Sequence, residues 1–281
     1  MRIIPNPEIL DRYMGKIVVI KYGGNAMIDN ELKNGVMDDI VTLRDLGIKP
    51  VLVHGGGPVI KETLDDAGIV SEFIGGHRKT DELSMRYVEM ALSGAVNGSL
   101  ISLLNIKGAK AVGLSGKDGD LVRVEKRYHL ENGHKTDLGH VGDITSVDPK
   151  LIFCLLQNNF VPVVAPVSLG DDGKDYNVNA DMFAGHLSAA LGAEAYIVLT
   201  DVDGLMEDIS RPESLIHEIT TANLSNIMPH VVKGGMIPKV ESCMIALKPG
   251  KGKALIINGT KKHSILTSLL TTQPTGTQIL A

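Results

Sequence analysis

Short apolar runs rich in valine and isoleucine alternate along this chain with longer segments in which apolar residues recur at helical spacing. Several runs lead directly into a glycine turn, which is typical of buried parallel strands whose carboxyl ends carry a binding site. The pattern therefore predicts an α/β fold with a mainly parallel sheet. The predicted strands are Ile17–Lys21, Val51–His54, Ala111–Leu114, Val161–Ala165, Tyr196–Thr200 and Ala254–Ile257.

The segments between these strands predict helices on both faces of the sheet, because their apolar residues share one side. One segment ends at Gly47 and another at Gly192, and glycine is the residue most common just beyond a helix. Four helices are predicted. Two are recognised by their apolar faces, which are Leu32, Val36, Ile40 and Leu43 in the first and Met182, Phe183, Leu187 and Leu191 in the second. The other two run from Asp81 to about Asn105 and from Ile237 to Leu247.

Residues 119–143 interrupt the alternation because they are polar and rich in turn-forming residues, so they predict an inserted antiparallel hairpin. The sequence Gly-Asp-Asp-Gly-Lys-Asp at 170–175 is typical of a tight hairpin turn. A boundary between two lobes is predicted near this turn. The boundary divides the chain into residues 1–176 and 177–281, and the two lobes are expected to share one continuous sheet.

Composition excludes several classes of function. With 281 residues, of which 43% are hydrophobic, the chain can bury one large core or two smaller lobes. Its 28 basic and 33 acidic residues give a net charge of -5, which does not favour nucleic acid or an anionic membrane. Tryptophan is absent and aromatic residues are 4%, so no base-stacking surface is predicted.

Cys154 and Cys243 have no metal-ligand spacing around them and suggest a reducing compartment without disulfides. The nine histidines include no His-x-x-x-His pair, so no metal site made of protein ligands is predicted. We expect a cytoplasmic protein, because the N-terminus lacks a signal-peptide pattern and no run approaches the roughly 18 apolar residues of a membrane helix.

Two glycine loops follow predicted strands. In Lys21-Tyr-Gly-Gly-Asn, Gly23 and Gly24 would let the backbone approach a phosphate beside the lysine ammonium, although a strand end and an ordinary turn have the same composition. In His-Gly-Gly-Gly-Pro at 54–58, Gly56 and Gly57 precede a helix whose N-terminus favours an anion. Neither loop has the Gly-x-Gly-x-x-Gly spacing of dinucleotide-binding folds.

Further charged residues stand beside turns. Arg78 lies among glycines before a helix and is suited to clamping a carboxylate, or it is a solvated basic residue. Asn177 and Asp181 belong to Asn-Val-Asn-Ala-Asp at a helix start, where capping explains one polar residue and Asp181 could accept hydrogen bonds from two lysines. Lys239 lies off the apolar face of its helix, free for a phosphate or for solvent.

The sequence Thr-Asp-Val-Asp-Gly at 200–204 ends a predicted strand with two acids. It is suited to a turn, or to holding a ribose and metal-bound water. Both interpretations stay open for Asp201 and Asp203.

In chain order, nine motifs resemble those of the N-acetylglutamate kinases, a branch of the amino-acid kinase family, from about residue 16 to the C-terminus. They read Lys-Tyr-Gly-Gly-Asn-Ala-Met, Val-His-Gly-Gly-Gly-Pro, Gly-His-Arg-Lys-Thr, Gly-Leu-Ser-Gly-Lys-Asp-Gly, Gly-His-Val-Gly, Asn-Val-Asn-Ala-Asp, Thr-Asp-Val-Asp-Gly, Gly-Gly-Met-Ile-Pro-Lys and Gly-Thr-Gln-Ile. The resemblance implies a three-layer αβα sandwich with about eight strands, like that of carbamate kinase. Residues 1–176 would bind the amino-acid substrate and residues 177–281 would bind ATP.

The resemblance also assigns roles by position. Lys21 and Lys239 would stabilise the transferring phosphoryl group, and Asp181 would orient them. The residues expected to bind substrate are Gly56, Gly57, Arg78 and Asn177, and those expected to bind nucleotide are Gly23, Gly24, Asp201 and Gly235.

The implied reaction moves the γ-phosphoryl group of ATP, carried with Mg²⁺, to the γ-carboxylate of N-acetyl-L-glutamate, the second step of arginine synthesis. No catalytic base is needed, because a carboxylate with a pKa of about 4.3 is ionised at neutral pH. A homodimer or a higher oligomer is implied. Arginine-inhibited members have a longer N-terminal helix, and Ser268 and Pro274 stand here where those members have glutamate and glycine.

Two other functions remain open at this point. A relative that phosphorylates N-acetyl-α-aminoadipate or another acidic amino acid would share the glycines and lysines and differ in pocket length. A non-catalytic amino-acid or nucleotide sensor would not need two lysines with Asp181. Docking of a nitrogen-signalling protein is also left open.

Overall fold

The structure is a computed structural model and describes residues 3–27, 29–208, 210–247, 252–273 and 275–281. Pro274, where the sequence departs from the arginine-inhibited pattern, lies outside these residues. The strands are β1 (Ile17–Tyr22), β2 (Lys49–His54), β3 (Glu72–Ile74), β4 (His77–Lys79), β5 (Ala111–Ser115), β6 (Val122–Glu131), β7 (His134–Val147), β8 (Val161–Ala165), β9 (Val167–Gly170), β10 (Asp175–Asn177), β11 (Ala195–Thr200), β12 (Glu218–Thr220), β13 (Lys253–Asn258) and β14 (Thr277–Leu280).

Helices connect these strands on both sides. They are α1 (Pro7–Tyr13), α2 (Asn30–Asp45), α3 (Gly57–Asp66), α4 (Glu82–Glu89), α5 (Asn97–Ile106), α6 (Lys150–Gln157), α7 (Ala180–Leu191), α8 (Thr221–Val231), α9 (Ile237–Ala246) and α10 (Ser264–Leu270).

The central sheet has eight strands in the order β12-β14-β13-β11-β1-β2-β8-β5. Its neighbouring strands pair in parallel except β13 and β14, which are antiparallel. This confirms the predicted α/β class and the mainly parallel sheet. The six strands predicted from the sequence are β1, β2, β5, β8, β11 and β13, whereas the short strand β12 at the edge and its short neighbour β14 were not predicted.

Side chains of the central strands alternate between two apolar layers, as the pleat requires. Val18 and Ile20 of β1 pack in the layer that contains Ile40 of α2. Val19, between them, packs in the opposite layer with Phe183 of α7. Because helices cover both faces, β1 is apolar at successive positions until Lys21, which lies at the site.

One helix runs without a break from Glu82 to Ile106, close to the predicted span, but a π-helical turn at Met90–Val96 divides it into α4 and α5. Its 25 residues are long and apolar enough to cross a membrane by length and composition, so the expectation that no run qualifies was wrong. In this fold Leu92 and Leu100 are buried and pack against other core residues. A helix that packs in the core of a folded protein can meet the same criterion of length and composition.

The predicted hairpin insertion is present as β6 and β7, which pair in antiparallel fashion. The sequence did not predict that β9 and β10 would join them in a closed four-stranded barrel. The turn between β9 and β10 is held by the Gly173 N–H, which donates to the Gly170 carbonyl at 3.0 Å. The predicted lobe boundary after residue 176 falls within β10.

Candidate functional site

Lys21, Asp181 and Lys239 lie together at the carboxyl edge of the sheet although they are far apart in the sequence. The Nζ atom of Lys21 is 2.9 Å from Oδ1 of Asp181. The Nζ atom of Lys239 is 3.2 Å from Oδ2 of the same carboxylate and donates a hydrogen bond to it. One buried carboxylate therefore holds two ammonium groups, an arrangement that was inferred from the sequence as one alternative for Asp181. Their catalytic role stays a prediction.

Each of these side chains is placed by a regular element. Lys21 is at the end of β1, which is paired on both sides by β2 and β11. Asp181 is in the first turn of α7, where the Asn179 side chain is the cap and accepts hydrogen bonds from the N–H groups of Asp181 and Met182 at 2.9 and 3.2 Å. Because Asn179 caps the helix, the Asp181 carboxylate is available to the lysines. Lys239 is in the first turn of α9.

Burial and charge act in opposite directions on this cluster. Burial lowers the pKa of Lys21 below its ordinary value, and the Asp181 carboxylate opposes this effect while the nearby Lys239 ammonium adds to it. Burial alone would raise the pKa of Asp181, but the two ammonium groups outweigh it and hold the pKa below its ordinary value. The carboxylate is therefore ionised at neutral pH, and the cluster carries a net positive charge as long as both lysines are protonated.

The two glycine loops run side by side next to Lys21. The N–H of Gly55 donates to the Tyr22 carbonyl at 2.7 Å. A Cβ atom at Gly23 would lie 2.9 Å from Nζ of Lys21, so a side chain there would displace the ammonium group. Gly24 has a φ of +75°, which favours glycine. The loops thus leave space for an anionic group close to the lysine.

Gly56 and Gly57 form the start of α3, with a proline in its first turn as predicted. Gly56 has a φ of 179°, which is extended backbone, so the need for glycine here is steric. A Cβ atom on Gly56 would lie 2.6 Å from Cδ2 of Leu92, in the π-helical turn. The long helix therefore packs directly against the loop expected to bind a carboxylate.

Arg78, on β4, reaches this loop from the β3–β4 hairpin. Its Nη2 atom donates to the Gly57 carbonyl at 3.4 Å, and its Nη1 atom donates to the Ser71 hydroxyl. The guanidinium lies 4.7 Å from the centre of the Phe73 ring. Partial burial lowers the pKa of Arg78, which remains charged at neutral pH.

Asn177 is the last residue of β10 and is half-buried. It pairs with Val167 of β9 and Val141 of β7, so the barrel fixes its backbone. It stands two residues before Asn179, the cap of α7, so the barrel connects the expected substrate residue to the helix that carries Asp181.

A buried polar pair beside the glycine loop was not found from the sequence. Nδ1 of His54 is 2.8 Å from the Gly55 carbonyl, and Nε2 is 3.0 Å from the Asn97 amide nitrogen, which also donates to the Val163 carbonyl at 3.0 Å. Because the amide nitrogen donates to Nε2, the Nδ1 atom carries the proton and donates to Gly55. Burial lowers the pKa of His54 to about 4, so it is neutral and orients the loop.

A cavity of about 410 Å³ lies on the C-terminal side of the sheet. Asp201 stands next to its lining in sequence and is exposed, and Gly235 is in an exposed turn beside it. The Asp203 carboxylate accepts one hydrogen bond from the Asn258 amide and forms an ion pair with Lys261, so it stabilises the turn. The sequence pointed to this region through the motifs that contain Val202 and Met236 but missed the lining residues Leu205, Met206, His230 and Val231.

A smaller cavity of about 90 Å³ lies between the barrel and α7. Its lining includes His77, which precedes Arg78, and Val178, which follows Asn177. Arg127 and Asp143 form an ion pair in its wall. Three of the sequence motifs contribute to its lining, through His77, through Val141 and Gly142, and through Val178 and Asn179, but the sequence did not show that these motifs meet at one cavity.

Among the described residues, no group of three or more His, Cys, Asp or Glu side chains is arranged to hold a metal ion. The Asp181 carboxylate in the cluster is already paired with two lysines. A divalent ion at this site would therefore have to arrive with its own anionic ligands.

The sequence profile described as the Amino acid kinase family matches residues 16–258. An acetylglutamate kinase from Heliobacterium modesticaldum is 44% identical over 277 residues, with 96% of this chain and 94% of the relative covered. The chain belongs to the amino acid kinase family.

Solved structures agree with this assignment at the level of the fold. A carbamate kinase from Giardia lamblia bound to citric acid matches this family member with a TM-score of 0.65 at 18% identity, over 95% of this chain and 98% of that one. An N-acetylglutamate synthase from Neisseria gonorrhoeae, complexed with coenzyme A and N-acetyl-glutamate, matches with a TM-score of 0.82 at 24% identity. It covers 98% of this chain, which spans only 61% of the synthase.

Proposed function

We propose that this protein transfers the γ-phosphoryl group of ATP to the γ-carboxylate of N-acetyl-L-glutamate, giving N-acetyl-L-glutamyl 5-phosphate in the second step of arginine biosynthesis. The observation that carries the proposal is the Lys21–Asp181–Lys239 cluster, which lies beside the two glycine loops. The similarity to acetylglutamate kinase over 96% of the chain supports the choice of substrate.

The substrate would lie with its γ-carboxylate at Gly56 and Gly57, whose backbone N–H groups begin α3, and its α-carboxylate between Arg78 and Asn177. The small cavity would take the N-acetyl group, because its lining residues His77 and Val178 are the sequence neighbours of Arg78 and Asn177. ATP would occupy the larger cavity, with its phosphates directed to Gly23, Gly24 and Lys21.

In the reaction, a γ-carboxylate oxygen forms a bond to the γ-phosphorus while the bond from that phosphorus to the β,γ-bridging oxygen breaks, and ADP leaves with the electron pair. Lys21 and Lys239 neutralise charge that spreads over the transferring group. Asp181 keeps both lysines in place without entering the reaction. When bound with ATP, Mg²⁺ would neutralise charge on its phosphates.

An assay of ADP release with ATP, Mg²⁺ and N-acetyl-L-glutamate tests the proposal, with hydroxylamine to trap the acyl phosphate. Glutamate, aspartate and N-acetyl-α-aminoadipate are run alongside. We expect turnover with N-acetyl-L-glutamate and formation of the hydroxamate. Turnover only with N-acetyl-α-aminoadipate would move the substrate assignment, and ATP binding without turnover of any acid would overturn the proposal in favour of a sensor.

We also propose a cytoplasmic homodimer. In the proposed dimer a second copy of the chain would cover Leu83, Met90 and Ile106 of the long helix, which are 52%, 63% and 83% exposed. Sedimentation equilibrium tests this arrangement: we expect twice the chain mass for the wild type and a shift toward the monomer for Met90→Glu. A monomeric wild type would refute it.

A further inference from the structure

Lys117 contacts two segments of the chain, which in the proposed function lie at opposite ends of the bound substrate. It belongs to the motif Gly-Leu-Ser-Gly-Lys-Asp-Gly, which has no role in the mechanism above. Its Nζ atom is in an ion pair with Glu89 and lies 3.1 Å from Oδ2 of Asp175. The three side chains are each about one-third exposed, whereas the Lys150–Asp148 pair is 88% and 45% exposed.

The loop that carries Lys117 is fixed on both sides. Asp118 accepts hydrogen bonds from the N–H and the hydroxyl of Ser115 at 2.6 and 2.8 Å. A Cβ atom at Gly116 would lie 2.8 Å from the Val167 carbonyl on β9, so the loop is pressed against the barrel. The loop therefore fixes the backbone of Lys117, and its ammonium group is held between the two carboxylates.

Each carboxylate leads to a different end of the proposed substrate pocket. Glu89 is the last residue of α4 and stands immediately before the π-helical turn, whose Leu92 packs on Gly56. Asp175 is the first residue of β10 and stands two residues before Asn177, on the same side of the strand. The bridge thus connects the γ-carboxylate end of the pocket with the α-carboxylate end.

We propose that Lys117 is a positioning residue that sets the distance between the two carboxylate-binding ends of the pocket, and with it the length of the dicarboxylic acid that is accepted. This inference rests on the proposed function for the identity of the acid. The bridge makes no contact with the three residues of the phosphoryl-transfer cluster, so it acts on the acid substrate and leaves nucleotide binding unchanged.

The test compares Lys117→Met, which keeps the length of the side chain without its charge, with Lys117→Arg and with the control Lys150→Met. Lys150 also forms an ion pair, at 2.8 Å with Asp148, but it is 88% exposed and far along the chain from the pocket residues. For Lys117→Met we expect KM for N-acetyl-L-glutamate to rise about tenfold while KM for ATP changes less than about twofold. Its preference for N-acetyl-L-glutamate over N-acetyl-α-aminoadipate should fall about fivefold.

Lys117→Arg should recover most of the loss, because a guanidinium can bridge two carboxylates. Adding Asp175→Asn to Lys117→Met should cost little more than Lys117→Met alone, since the two changes break one bridge. The inference would be overturned if the KM values for the acid and for ATP changed equally. It would also be overturned if the folded variant kept the wild-type KM for the acid and the wild-type preference between the two acids. If Lys117→Met does not fold, Glu89→Gln and Asp175→Asn decide by the same criteria.

Turnover by the wild type tests the proposed function separately. Calorimetric Kd values for N-acetyl-L-glutamate, measured without ATP for the wild type and Lys117→Met, need no turnover. Weaker binding by the variant supports the bridge even if phosphorylation of this acid is not observed, and equal binding refutes it.

Discussion

Asp181 has two lysines on one carboxylate, and it is the residue on which the geometry of the cluster depends. Lys21 comes from the end of a central strand and Lys239 from the first turn of a helix, and the Asp181 carboxylate joins their two ammonium groups. Without the carboxylate, Lys21 would be a buried charge beside a second positive charge. Such a charge is strongly unfavourable when its partner is removed.

Asp181→Asn should therefore lower both catalysis and stability. We expect kcat to fall about 10²-fold because the lysines lose their orientation, and the free energy of unfolding to fall by about 3 kcal/mol because Lys21 is left buried and unpaired. Steady-state kinetics and urea unfolding measure the two effects. The control is Asp148→Asn, which breaks the exposed pair with Lys150. A variant with unchanged kcat would contradict the assigned role.

His54 should make the stability of the protein depend on pH in the mildly acidic range. Its pKa is lowered to about 4 in the folded protein, against about 6.5 when unfolded. Between these values the unfolded chain binds a proton that the folded protein does not, so stability falls as the pH falls from 6.5 to 4. The shift corresponds to about 3 kcal/mol.

His54→Gln removes the titrating group and keeps a side chain able to accept a hydrogen bond from Asn97. Urea unfolding at about pH 7 and about pH 4.5 should show a smaller loss of stability in the variant than in the wild type. Asp39, whose pKa burial raises to about 6, acts in the opposite direction and is present in both proteins, so it cancels in the comparison. The exposed His134 supplies the control His134→Gln. Equal losses in the wild type and His54→Gln would contradict the prediction.

The sequence predicted Lys21, Asp181 and Lys239 because each stands beside a glycine turn or a helix start, which are local signals. It did not predict the pair of His54 and Asn97, which are 43 residues apart and become neighbours only when α5 packs on the sheet. The sequence around Asn97 carries no local sign of its distant partner.

At the scale of elements, the π-helical turn at Met90–Val96 places Leu92 and Val96 against the Gly56 loop. The sequence predicted the helix with nearly the right bounds, because apolar residues recur at helical spacing over a long segment. It did not predict the π turn, which changes that spacing only locally. The same reasoning explains the strands. Six buried apolar runs were recognisable, whereas β12 and β14 are three and four residues long and depend on pairing with neighbours.

Gly56→Ala should raise KM for the acid substrate more than KM for ATP, because the added methyl group would lie 2.6 Å from Leu92 and displace either the loop or the helix. The increase should be about tenfold. Leu92→Ala in the same chain removes the clash and should restore part of the affinity. Gly94→Ala, at an exposed position of the same turn with nothing near its Cβ, is the matched control. If the double variant is no better than Gly56→Ala, the contact with Leu92 is not the cause.

At the scale of the whole molecule, the two predicted lobes share one sheet and one core. The apolar layer that contains Leu52 of β2 also contains Leu255 of β13 and Leu269 of α10. Strand β1 pairs with β2 of the first lobe on one side and with β11 of the second lobe on the other, so it joins the two lobes. The two lobes are expected to bind different ligands. Because they share one sheet, they should nevertheless unfold together.

Differential scanning calorimetry should show one transition whose van't Hoff and calorimetric enthalpies agree, and either ATP or N-acetyl-L-glutamate alone should shift the whole transition upward. At a concentration of about 100 times its Kd, each ligand should add about 2.7 kcal/mol to the free energy of unfolding.

Gly204→Ala should separate the effects of the two ligands, because Gly204 has a φ of +147° and its Cβ would lie 3.0 Å from the Thr277 backbone nitrogen beside the larger cavity. This variant should lose the shift caused by ATP and keep the shift caused by N-acetyl-L-glutamate. Two resolved transitions, each moved by one ligand, would show instead that the shared sheet does not couple the lobes.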